Sequence, residues 1–262
     1  MVEAEDRYEK FSVEFLACLP PAFSLNPDTT YDLRCERIPL QRQILHIAMF
    51  ESICCNFRPV LATNWDNIPN MPSYKRALVL SQKKMLAATS LKLSEAVGAL
   101  YDFLGAKYTR SVNVAFYTFE AAVILGCLCL DLDFTSLLTG SASSITQTEV
   151  LLGEGVVITK ETCVDAIANA LARLEVLAEV SILAETGAQT LVRLLELIRS
   201  ADTSPKCYSI GEYSWSDELS NFFNTRDQEP GFKTPDVAFF DQVFSASTDI
   251  TELDLSTELK TS

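Results

Sequence analysis

The sequence predicts an all-α fold, an irregular helical bundle with a disordered acidic C-terminal tail, and three observations carry that prediction. Hydrophobic residues make up 48% of the 262 positions, enough for a substantial core. Nine glycines and ten prolines are few, which suits helices better than turn-rich β structure. Apolar residues recur at spacings of three and four through several long stretches, the period of one helix face. Residues 1–200 read as the helical domain and residues 201–262 as the tail.

Taken in order, residues 1–39 read as an extended approach to the core. Within them Phe15, Leu16 and Leu19 lie on a short amphipathic turn before Pro20 and Pro21. Residues 40–57 form the central helix, too apolar for a surface position. Ile44, Ile47, Ala48 and Cys55 share one face, with Leu45, Met49 and Ile53 on a neighbouring strip. Pro59 lacks an N–H and disfavours the α conformation at Arg58, so the helix is expected to stop there. Residues 62–73 are a proline-broken loop in which Trp65 packs on the core edge or borders a pocket.

A second helix is expected from Tyr74 to Leu93, with Leu78, Ser81, Met85 and Ala88 inward and Lys75, Arg76, Lys83 and Lys84 on a solvated face. Gly98 and Gly105 loosen the stretch after Leu93. A third helix spans about 112–130. Glu120 near its middle and its shortness favour a buried core helix over a membrane span. The Ser-, Thr- and Gly-rich stretch 131–158 reads as a mobile surface insertion. Thr159 is a candidate N-cap, with Glu161 in the first turn of a helix carrying Val164, Ile167, Leu171, Leu174 and Ala178 inward. A last helix, from Thr186 to Arg199, has Leu191, Leu194, Leu195 and Ile198 on one face.

Two short patterns resemble the regulatory middle region of fungal zinc-cluster transcription factors. One is the apolar helix closed by Phe57-Arg58-Pro59-Val60-Leu61; the other is Leu19-Pro20-Pro21 just ahead of that helix. Tyr117, Phe119, Ala121 and Ala122 resemble a third helix of the same region, and the two helices after Thr159 resemble the pair that closes it. The resemblance covers residues 11–200 and marks Leu19, Pro20, Arg58 and Pro59 as its motif residues. It implies a transcription regulator in the nucleus, controlling metabolic or secondary-metabolite genes.

The zinc-cluster DNA-binding domain of that family is not in this sequence. Its two metals need six closely spaced cysteines, and the eight here are scattered without a CxxC pair. Reduced, buried thiols are the expectation. A net charge of −14 repels phosphate backbones, so direct nucleic-acid binding is not expected and DNA would be reached through a DNA-binding partner or a homodimer. No cofactor, metal or catalytic residue is indicated: the one histidine, His46, lies inside the central helix and reads as a buried, hydrogen-bonded side chain. The pair Asp131 and Asp133 lacks the further acids a metal motif needs.

Residues 212–262 carry eleven acidic residues against three basic ones, a net charge of −8. Trp215, Phe222, Phe223, Phe239, Phe240 and Phe244 are threaded among them. Acidic residues keep such a chain solvated while its aromatic rings stay available to a partner's groove, the composition of an activation segment. These six residues are the expected contacts with the transcription machinery. The competing reading is an all-α ligand-binding protein or enzyme without a recognisable motif, with a cavity near Trp65 and His46.

Overall fold

The computed structural model describes residues 2–62, 71–105, 111–131, 134 and 158–203. Those residues form helices and turns, with no strand among them. The helices are α1 (Val2–Glu14), α2 (Arg37–Phe57), α3 (Ser73–Phe103), α4 (Val112–Cys129), α5 (Lys160–Leu177) and α6 (Ile182–Thr203). Short 3₁₀ turns cover Leu16–Cys18, Pro21–Phe23 and Arg58–Ala62. The all-α expectation holds; the insertion at 135–157, Trp65 and the tail from 204 onward lie outside the described residues.

The bundle is a sequential stack. α3 packs between α2 and α4, and α4 in turn carries α5 and α6, which also pack on each other. One continuous core runs through it, from Phe50, Ile53 and Phe57 of α2, through Leu86, Leu93 and Val97 of α3, to Phe119, Leu125 and Leu128 of α4 and Leu174, Leu191 and Leu194 beyond. α4 is buried among its neighbours over most of its length. That accounts for an apolar character which, by length and composition alone, also fits a membrane span, as does the stretch Arg37–Leu61.

Several expectations need correction. The first residues are not extended: α1 is a helix that buries Ala4 and Tyr8 against the core, with Tyr8 and Phe57 ring centroids 5.6 Å apart. Its spacing signal is short and masked by charge, and exposed pairs one turn apart, Glu3 with Arg7 and Lys10 with Glu14, add modest support. α2 begins at Arg37, three residues early, because Pro39 falls in the first turn, where no intrahelical N–H bond is lost. At its other end α2 stops at Phe57 as expected. Arg58 nonetheless keeps right-handed helical angles ahead of Pro59, bonds its N–H to the Cys54 carbonyl and leads into a 3₁₀ turn.

The inward face of α2 is turned slightly from the predicted one. Cys54 is fully buried and Cys55 is exposed, and the polar Gln41 and Arg42 are buried. α3 runs ten residues past Leu93, straight through Gly98, with Ser81 exposed. Gly98 is where the tip of the Arg173 side chain from α5 comes close: a Cβ there would lie 2.7 Å from the guanidinium, which would have to shift. α4 matches its predicted bounds to within a residue. α5 starts as predicted, with Thr159 and Thr162 forming a reciprocal cap. α6 begins at Ile182, four residues before the expected start, and ends at Thr203.

Candidate functional site

Among the polar side chains inside this apolar body, charged or histidine residues at three places each tie a different segment to the stack. The first is on α2. Arg42 and His46 stand one turn apart on the same face. The Arg42 guanidinium donates through Nε to the Ala22 carbonyl at 2.6 Å and grips the Asp32 carboxylate with both terminal nitrogens, at 2.7 and 3.0 Å. His46 places Nε2 3.2 Å from the Phe23 carbonyl and 3.1 Å from that of Ser24. Two side chains thus clamp the segment 22–32 along α2.

The electrostatics follow from that arrangement. The hydrogen bond from Arg42 holds the Asp32 carboxyl below its ordinary range. Burial pushes His46 below its ordinary value, against the two carbonyl contacts. The imidazole is therefore neutral near pH 7 and donates from Nε2, the role the sequence predicted for it.

The second place is the end of α2. Arg58 pairs with Glu120, the carboxylate at the middle of α4. Burial works against the charge on Arg58, and the Glu120 carboxylate together with the neighbouring Cys55 and Cys54 sulfurs more than offsets it. This contact explains both a motif arginine and an acid in the most apolar helix of the chain: each is there for the other. The third is a fully buried ion pair, Lys83 of α3 with Asp131 just after α4, at 2.8 Å and with side chains 0% and 1% exposed. Asp131 also accepts the backbone N–H of Phe134 at 2.8 Å. Lys83 is thus not on the solvated face expected of it, although Lys75 and Arg76 are exposed.

The motif residues do not form one cluster. Leu19 is half-buried and Pro20 exposed, immediately before the segment that Arg42 and His46 clamp. Arg58 and the exposed Pro59 lie at the opposite end of α2, about 24 Å away along a helix rising 1.5 Å per residue. Sequence reasoning found Arg58 and missed its partner, Glu120. It also missed Arg42, Lys83 and Asp131, whose signal is a charged residue at an inward position of an otherwise apolar pattern. Trp215, Phe222, Phe223, Phe239, Phe240 and Phe244 lie outside the described residues. Among the described residues no group of three His, Cys, Asp or Glu side chains could hold a metal.

Among the described residues, the arrangement is that of a helical scaffold whose buried charges Arg42, Lys83, Glu120 and Asp131 hold segments together. Proteins with closely similar sequence carry a shared description. The chain is 38% identical over 205 residues to "Transcription factor xilB" of Penicillium rubens, a match covering 78% of this chain and 29% of that protein. It is 31% identical over 201 residues to "Probable transcription factor sol4" of Alternaria solani, covering 76% of this chain and 36% of that protein. Over three quarters of its length the chain is thus similar to a region of two fungal proteins named as transcription factors, and it spans about a third of the length of these curated relatives. No protein-family model and no solved structure matches it.

Proposed function

We propose that the chain is a fungal transcription regulator that acts by contact rather than by catalysis. The observation that carries the reading is the alignment of three quarters of the chain with two fungal proteins named as transcription factors. In this reading α1–α6 correspond to the regulatory middle region of zinc-cluster factors, and the segments clamped at Arg42 and at Arg58 keep that region in one conformation. Residues 201–262 supply the activation segment, with Trp215, Phe222, Phe223, Phe239, Phe240 and Phe244 as its contacts with the transcription machinery. DNA is reached through a DNA-binding partner or a second copy of the chain, because a net charge of −14 disfavours direct contact with phosphates. The site of action is the nucleus, and the target genes are metabolic or secondary-metabolite genes.

A reporter assay tests this. Residues 201–262 fused to a neutral DNA-binding domain are expected to activate transcription, and alanine at Phe239, Phe240 and Phe244 together is expected to abolish most of that activity. An inactive fusion, or an alanine variant as active as the parent, overturns the activation role. The ligand-binding alternative gains nothing from His46, whose ring is taken up by two backbone carbonyls.

A further inference from the structure

The cysteines are scattered in the sequence, and folding brings two of them together. Cys129 is the last residue of α4 and Cys163 lies in the first turn of α5. Thirty-three residues separate them in the chain. The Cys163 thiol is nonetheless in hydrogen-bond contact with the Cys129 sulfur, and both side chains are buried where α4 packs on α5. Other thiols are occupied differently. Cys54 meets the Ser90 hydroxyl at 3.5 Å, and Cys55 donates to the Glu51 carboxylate at 2.9 Å.

We propose that Cys129 and Cys163 form an intrachain disulfide when the protein meets a hydroperoxide, a reversible latch joining the end of α4 to the start of α5. The proposal goes beyond the transcriptional reading and does not depend on it. Two sulfurs already in contact need little movement to reach bonding distance, and both sit at helix ends, which open locally more readily than helix interiors. The thiols also differ in their electrostatic surroundings. Contact with Cys129, and after it the Thr162 hydroxyl, holds the Cys163 thiol below its ordinary range despite burial. Burial pushes Cys54 up to about 12 and Cys127 up to about 11.

The chemistry balances in two steps. The Cys163 thiolate attacks one oxygen of hydrogen peroxide. The O–O bond breaks, leaving a sulfenic acid on Cys163 and, after protonation, one water. The Cys129 sulfur then attacks the Cys163 sulfur, the S–O bond breaks, a second water leaves, and the S–S bond forms. The two thiols together give up two electrons and two protons to the peroxide.

The test is a disulfide map of the full-length chain after treatment with hydrogen peroxide, alkylation of the remaining thiols and digestion without reductant. The expected product is a linked peptide pairing Cys129 with Cys163, lighter by two hydrogens than its two halves and separated by dithiothreitol. In the Cys129→Ser chain, Cys163 is expected to stop at the sulfenic acid and be trapped by dimedone. A map in which Cys129 and Cys163 are both recovered as alkylated thiols, while the exposed Cys18 and Cys55 have been oxidised, overturns the proposal. Because that map is made on the unsubstituted chain, a serine variant that fails to fold leaves the test intact.

Discussion

The two flanks of α2 differ in what holds them. Toward the N-terminus, the segment 22–32 lies against the helix through a guanidinium, an imidazole and a handful of backbone carbonyls. Beyond α3, on the far side, α4, α5 and α6 close on each other chiefly through apolar side-chain packing, tight enough that a Cβ on Gly126 of α4 would clash with the Leu194 side chain of α6. Packing of the second kind is spread over many residues and fades gradually when one is changed. Polar clamping is concentrated in one or two side chains, and losing one releases a whole segment while the bundle stands. The buried pair Lys83 with Asp131 sits between these regimes: polar in chemistry, yet as deep as any core residue.

The largest effect is expected there. Lys83→Ala strands the Asp131 carboxylate in the core and should cost about 3–5 kcal/mol in denaturant unfolding, whereas Lys83→Met combined with Asp131→Asn, which keeps an acceptor for the Phe134 N–H, should recover most of that loss. Equal losses from the single and double variants would show that the pair contributes ordinary packing only. Gly126→Ala forces the Leu194 side chain aside and should cost about 1–3 kcal/mol, with much of the loss recovered when Leu194→Ala is added; an absence of recovery breaks the close-approach account.

Arg42→Ala should act locally. Amide exchange and proteolysis should rise across residues 22–32 with the amides of α4–α6 unchanged, and a rise spread evenly over the chain would erase the distinction between the two flanks. The smallest effect concerns pH. His46 is held below its ordinary value in the folded chain, so protonation favours the unfolded state. Its stabilising contribution is complete above the unfolded value of about 6.5 and is lost as the pH falls toward the folded one. The native chain should therefore lose stability between pH 7 and pH 5 faster than His46→Gln, as read from paired thermal melts.

The same contrast explains how much was legible in the sequence. The dry side could be read directly. α4 follows from its unbroken apolar run, the start of α5 from the cap at Thr159 with Glu161 in the first turn, and the inward leucines of α6 from three- and four-residue spacing, the periodic trace that burial of many like residues leaves. The clamped side left no such trace. Nothing in the local pattern says that Arg42 reaches across to Asp32, or that Lys83 points inward to an acid 48 positions later. Each is a single residue whose partner is set by the tertiary arrangement. α1 was missed because its buried face has only Ala4 and Tyr8 as fully covered positions, too few to register as a period. Arg58 was found through a resemblance rather than through physics, and the structure supplies the physical reason in Glu120.

The Arg58–Glu120 contact also bears on the order in which the chain can assemble. Arg58 leaves the ribosome 62 residues before the acid it needs, so for that interval the tip of α2 carries a cation with no counterion in its final place. A nascent chain halted inside that gap would hold the greasy spine but not the means to seal it. Completion of α4, and not of α2, is thus the earliest point at which the α2 end of the interior can close.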